Sequence, residues 1–232
     1  MGRLLLWDVD GTLIRGGGVG SEAINRAAAA VVGKPIAGRP VVMHGKTDPQ
    51  ILTELLVAAE IAEHAIPELL PAAVAETERL LALAEADLRR RGAVIGGVAE
   101  VLARLATVAG VRQTLVTGNL MANAVLKLAA FDLTGFFDVE VGAYGTDHAD
   151  RNELVPIALE RVEQLRGECY LPGEVWVIGD TPGDLACARA AGVRCLLVAT
   201  GQIPICQLEA LDADAVLADL TNTDDVVQIL TR

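Results

Sequence analysis

Two short apolar runs, Leu4-Leu5-Leu6-Trp7 and Val175-Trp176-Val177-Ile178, each lead directly into a cluster of acidic residues: Asp8-Val9-Asp10-Gly11-Thr12 and Gly179-Asp180-Thr181-Pro182-Gly183-Asp184. Uninterrupted apolar runs of this length describe strands buried on both faces, as in a parallel sheet covered by helices. Four carboxylates at the C-terminal ends of two such strands would repel one another unless a cation lay between them. Hard oxygen donors of this kind suit Mg²⁺, which takes one or two carboxylates and leaves room for substrate phosphate. The two runs therefore predict an α/β fold with a metal-assisted phosphoryl-transfer site at its strand ends.

The rest of the chain supplies the helices. Strand-like segments are expected at 3–9, 113–117, 139–141, 174–178, 194–198 and 215–217, with helical segments at 97–109, 120–130, 152–166 and 182–191 between them. Alternation of this kind makes a doubly wound parallel sheet. Segment 15–93 breaks the pattern. It offers no convincing buried strand and reads as helices over 21–32, from Asp48 as N-cap with Pro49 at the first helical position, and over 71–91. A helical stretch between the first two strands looks like an inserted cap over 15–93, leaving a core of 1–14 and 94–232. Gly16-Gly17-Gly18, Gly92 and Gly96-Gly97 would serve as its hinges.

Charge and cysteine content narrow the function. The 232 residues carry a net charge of −12, which argues against a nucleic-acid partner. Segment 15–50 runs against that sign, with Arg15, Arg26, Lys34, Arg39 and Lys46 set against Glu22 and Asp48, a balance that could attract a small anion. Cys169, Cys187, Cys195 and Cys206 have no zinc-ligand spacing and are expected to be reduced and structural. No apolar run reaches the roughly 20 residues that span a bilayer. The expectation is a cytoplasmic monomer or homodimer acting on a small phosphorylated metabolite.

The chemistry can be built from residue types. Residues two apart in a strand face the same way, so Asp8 and Asp10 can converge. One carboxylate can attack phosphorus to give an aspartyl phosphate, while the other protonates the leaving oxygen and later deprotonates the attacking water. Thr117-Gly118-Asn119, at the junction of a strand and a helix, offers a hydroxyl and backbone N–H groups to phosphate oxygens. A basic side chain is needed as well. Lys127 lies roughly 10 Å along its helix from the phosphate end, at about 1.5 Å per residue, so Arg151 is favoured while the choice stays open.

With these motifs in order, Asp8-Val9-Asp10-Gly11-Thr12-Leu13, Thr117-Gly118-Asn119, Arg151 and Gly179–Asp184, the chain resembles the haloacid dehalogenase-like hydrolase superfamily. The resemblance implies a Rossmann-like core with Asp8 as nucleophile, Asp10 as general acid/base, Thr117 on the phosphate and Arg151 as charge stabiliser. It also implies Mg²⁺ held by Asp8, the backbone carbonyl of Asp10 and Asp180, with Asp184 supporting from behind. Many relatives carry lysine where this chain carries arginine. Asp10 argues for phosphate chemistry rather than dehalogenation. The segment His44-Gly45-Lys46-Thr47-Asp48 resembles the cap of phosphoglycolate-phosphatase-like members, making His44 and Lys46 candidates for substrate selection. A phosphosugar mutase and a non-catalytic phosphate-binding module are the alternatives.

Overall fold

The computed structural model describes residues 2–36 and 41–232; Arg39 lies outside them. Eight strands are present among these residues: β1 (Arg3–Trp7), β2 (Ile14–Arg15), β3 (Ala93–Val94), β4 (Val111–Thr117), β5 (Ala143–Tyr144), β6 (Val175–Gly179), β7 (Arg194–Val198) and β8 (Ala215–Leu217). Six form one sheet in the order β5-β4-β1-β6-β7-β8, and every pairing in it is parallel. β1 lies between β4 and β6 with Trp7 opposite both Leu115 and Ile178. Asp8, Thr117 and Asp180 therefore leave the sheet along the same edge.

The helices between β2 and β3 are α1 (Val19–Val32), α2 (Asp48–Ala58), α3 (Ile66–Leu83) and α4 (Glu85–Arg91). Those beyond β3 are α5 (Val98–Ala106), α6 (Met121–Ala130), α7 (Leu154–Arg166), α8 (Pro182–Ala190), α9 (Ile205–Leu208) and α10 (Thr223–Thr231). Side chains alternate across β1, and so serve two cores. Leu5 and Trp7 pack with Val101, Leu102, Leu128 and Val226 of α5, α6 and α10 on one face, whereas Leu4 and Leu6 pack with Val155, Ala158 and Cys187 of α7 and α8 on the other. This is the doubly wound α/β architecture that the strand pattern predicts. None of the described helices is long and apolar enough to cross a membrane, and all four cysteines are free.

Helices α1–α4 form their own apolar contacts, chiefly among Ile24, Ala28, Ile51, Leu52, Leu55 and Ala73. They also lean on α6, where Val19, Leu81 and Leu88 meet Ala130 and Leu126. Arg89 adds hydrogen bonds from its guanidinium to the carbonyls of Ala129 and Ala130, a favourable place for a cation at a helix C-terminus.

Several sequence expectations need correction. Residues 139–141 form a 3₁₀ turn, and the strand beside β4 is the two-residue β5 immediately after it. Apolar spacing cannot separate such a turn from a short strand. The helix expected over 71–91 begins at Ile66, carries Pro71 inside it and breaks at Ala84. Pro71 is the sixth residue of that helix, past its first turn, so the Pro67 carbonyl goes without the N–H it would otherwise accept. Thr47, not Asp48, caps α2, its hydroxyl accepting the Gln50 N–H at 3.2 Å, and Asp48 and Pro49 form the first turn. The stretch read as strandless is bounded by short strands, since β2 and β3 pair antiparallel through Ile14 with Val94 and Arg15 with Ala93. β1 ends at Trp7, so Asp10 sits in the following turn and not in the strand.

Candidate active site

The turn after β1 places two carboxylates in different surroundings. Asp8 is 5 % exposed, whereas the Asp10 side chain keeps 45 % of its surface. Gly11 makes the turn possible. Its φ of 86° lies in the left-handed region, and a Cβ there would stand 2.4 Å from Asp180 Oδ2. The same carboxylate is closed in from the other side by Gly201, where a Cβ would come within 1.7 Å of Oδ2.

Asp8, Asp180 and Asp184 are all buried, and one carboxylate oxygen from each lies within 4.8 Å of the other two. Asp184 is fully engaged. It accepts from Arg151 Nη2 through Oδ1, and from the Thr181 backbone N–H and hydroxyl through Oδ2 at 3.0 and 2.7 Å. Thr181 and Asp184 thus form a capping box at the start of α8. Asp180 Oδ1 accepts from the Thr12 hydroxyl at 3.3 Å. Arg151 Nη2 also lies 3.3 Å from Asp8 Oδ1, so one buried guanidinium serves two of the three carboxylates.

Three buried carboxylates facing one cation are short of positive charge. Burial pushes Asp8 up to about 6, with Asp184 and Asp10 adding repulsion, while Arg151 and the Thr117 hydroxyl oppose the rise. Burial also pushes Asp180 up to about 8, reinforced by Asp184 and Asp8 and opposed by Thr12 and Arg151. Closely spaced hard oxygen donors lacking counter-charge fit a divalent cation, which would reverse both shifts.

Lys127 occupies a place that helix rise alone did not foresee. Its Cα lies two turns into α6, yet it is 4 % exposed and its Nζ reaches Asp10 Oδ2 at 2.5 Å and Asn119 Oδ1 at 2.6 Å. Helical side chains slant towards the N-terminus, and the long lysine stem covers the remaining distance. Asn119 completes the group, donating from Nδ2 to Asp10 Oδ2 at 2.9 Å and to Thr117 Oγ1 at 2.8 Å. Both basic candidates therefore enter the site, Arg151 beside Asp8 and Lys127 beside Asp10.

These groups line a cavity of about 370 Å³ whose far wall comes from α1, α2 and the segment before α2. His44 and Lys46 lie in that wall; Lys46 is paired with both oxygens of Glu54 at 2.7 and 2.6 Å, and His44 is exposed. Gly118 is packed against the Lys46 carbonyl and accepts the Asp48 N–H at 2.7 Å, so its carbonyl faces the inserted helices. Asp48 also lines the cavity, a place that its reading as a cap does not reveal. Buried beneath the wall, it accepts the Leu120 N–H at 3.0 Å at the start of α6. Arg15 also reaches the cavity, from the strand that begins just after Asp10.

Comparison with known proteins agrees with this fold. A family model described as haloacid dehalogenase-like hydrolase matches residues 5–189. The chain is 28 % identical over 228 residues to the phosphoglycolate phosphatase of Pseudomonas putida, an alignment covering 94 % of this chain and 77 % of that one. It is 34 % identical over 124 residues to a Caldanaerobacter subterraneus protein named "Putative pyrophosphatase PpaX", and that match spans about half of each, 53 % in both cases. Among solved structures, CbbY from Rhodobacter sphaeroides in complex with phosphate superposes with a TM-score of 0.66 at 19 % identity, covering 96 % of each chain. A hydrolase from Pseudomonas syringae gives 0.66 at 18 % identity, over 97 % of this chain and 98 % of that one. Such identities establish a shared fold.

Proposed function

Because the chain belongs to the haloacid dehalogenase-like hydrolase family, we propose that it is a Mg²⁺-dependent phosphatase that hydrolyses a small phosphomonoester through an aspartyl phosphate on Asp8. The observation that carries this reading is the convergence of Asp8, Asp180 and Asp184 around one buried guanidinium at the sheet edge, with Asp10 and Lys127 alongside. The Pseudomonas putida relative makes a phosphoglycolate-like ester the first substrate to try.

In this reading Asp8 is the nucleophile. One of its oxygens attacks phosphorus, and the ester oxygen departs with a proton from the Asp10 carboxyl. Asp10 then takes a proton from water as that water attacks the aspartyl phosphate, which releases inorganic phosphate and restores Asp8. The greater exposure of Asp10 suits a group that must meet both the leaving oxygen and water. Lys127 and Asn119 hold its Oδ2, fixing the carboxyl beside the cavity. Thr117 and the backbone at the start of α6 would receive phosphoryl oxygens, and Arg151 would keep Asp8 oriented and ionised. Asp8, the Asp10 backbone carbonyl and Asp180 would hold Mg²⁺, which would offset the negative charge of nucleophile and phosphoryl group together. Asp184, bonded through both oxygens and set behind the cavity, would keep Arg151 and the start of α8 in place. The helices α1–α4 would act as a cap that keeps bulk water from the reacting atoms.

Phosphate release from a panel of small monoesters, with Mg²⁺ or with EDTA, tests the proposal in wild type and Asp8→Asn. Turnover that requires both metal and Asp8 is expected. Undiminished release by Asp8→Asn would remove the covalent mechanism, and no release from any ester would remove the phosphatase.

A further inference from the structure

We infer that Arg15 reads a second anionic group on the substrate, so that the ester accepted here carries a carboxylate or another phosphate beyond the one removed. The inference rests on the phosphatase reading above and concerns which monoester enters.

Four permanently or normally charged cations line the cavity among the described residues: Arg15, Lys46, Lys127 and Arg151. Three already face carboxylates, Lys46 on Glu54, Lys127 on Asp10, and Arg151 on Asp8 and Asp184. Among the described residues, Arg15 has no carboxylate within ion-pair distance. Its one side-chain hydrogen bond runs from Nη2 to the carbonyl oxygen of Thr200, at 3.0 Å. A guanidinium carries five N–H donors in a planar fork matched to carboxylate and phosphate, and here most of the fork is left over.

Its backbone is fixed independently of that bond, while the side chain is exposed. The Arg15 backbone belongs to β2 and pairs with Ala93 of β3. Thr200, which receives the guanidinium, donates its hydroxyl to the Gly11 carbonyl at 2.6 Å, and the next residue, Gly201, lies against Asp180. On the other side, a Cβ on Gly16 would stand 3.4 Å from Asp10 Oδ1. Arg15 is thus anchored at the rim beside Asp10 and Asp180, over the same cavity, without joining their hydrogen bonds. A cation that neutralises nothing among the described residues, exposed at the rim of a cavity of about 370 Å³ on the side of Asp10, the group that meets the leaving oxygen, is suited to a second anion carried on the alcohol half of the ester.

Three probes test this: propyl phosphate, the same three-carbon ester ending in a carboxylate, and the corresponding bisphosphate. Wild type should favour at least one charged probe over propyl phosphate by about 10- to 100-fold in kcat/KM, the range of a hydrogen bond between charged groups. Arg15→Gln should bring that ratio close to one, and Arg15→Lys should retain part of it. The two charged probes distinguish a carboxylate partner from a phosphate partner. Thermal unfolding of both variants checks that the fold is kept. A preference that survives Arg15→Gln would overturn the inference, as would a wild type that turns over propyl phosphate equally well. An equal loss on all three probes would also overturn it, by placing Arg15 on the phosphoryl group itself. If wild type cleaves none of them, the phosphatase reading falls first and takes this one with it.

Discussion

Asp48 provides a quantitative test of how tightly the inserted helices sit on the sheet. Its carboxylate is buried between α2 and α6, and burial raises its pKa to about 6, offset in part by Lys127, the Leu120 N–H and Asn123, with Asp10 adding to the rise. In the unfolded chain the same group titrates near 3.8. Between those two pH values the unfolded state has released its proton while the folded state still holds it. The contribution of Asp48 to folding stability therefore falls as pH rises through this window, by roughly 3 kcal/mol at about 1.4 kcal/mol per pH unit, and is flat above it. Asp48→Asn cannot ionise but keeps an oxygen to accept the Leu120 N–H. The stability of the variant relative to wild type should thus climb by about 3 kcal/mol from pH 4 to pH 7. Urea unfolding at unit pH steps measures both proteins, and subtraction cancels the titration of Asp8 and Asp180. A difference that stays flat across this range would mean that Asp48 is hydrated in solution, and the close seating of α2 on α6 would be refuted.

Two further substitutions probe the site itself. Arg151 makes both carboxylate contacts through Nη2, and its Nε is buried without a partner, so one arm of the fork is unused. Arg151→Lys should lose less than about tenfold in kcat/KM, whereas Arg151→Met, which strands buried carboxylates, should lose about a thousandfold or more; a lysine variant as poor as the methionine one would show that the fork matters. Gly201→Ala pushes a methyl group into Asp180. It should raise the Mg²⁺ concentration for half-maximal activity at least tenfold and cost about 1–3 kcal/mol of stability, measured by metal titration and thermal melting, and an unchanged metal requirement would count against Asp180 as a ligand.

Much of this molecule was readable because buried parallel strands leave a plain mark. The runs ending at Asp8 and Asp180 and the strand at β7 lie within a residue or two of expectation, since a strand covered on both faces has few choices but aliphatic residues. The 3₁₀ turn at Val139–Val141 carries the same residue types and so looked identical. At the site, motif spacing brought Asp8, Asp10, Thr117, Arg151, Asp180 and Asp184 together, because each lies on or beside the end of a neighbouring element. Lys127 ranks below Arg151 on spacing, and Arg15 is grouped only with the other cations of segment 15–50, for a different reason. Where the tip of a long side chain lies depends on its slant and on what the partner backbone offers, and neither is written in the spacing of Cα atoms. Thr47 and Asp48 divided the duties of cap and buried acceptor in a way that only tertiary contact decides.

The β2–β3 ribbon has a mechanical consequence. The chain crosses between the sheet and the helices α1–α4 twice, and at both crossings the backbones are hydrogen-bonded to each other. Two independent tethers would let one body roll and slide over the other. Two tethers laced together act like the pin of a door, and would leave swing about a single axis as the easiest relative motion. If α1–α4 act as the cap proposed above, each closing stroke would return His44, Lys46 and Asp48 to the same places over Asp8. A cut in either strand of the lacing would cost reproducibility of closure before it cost any contact within the closed state.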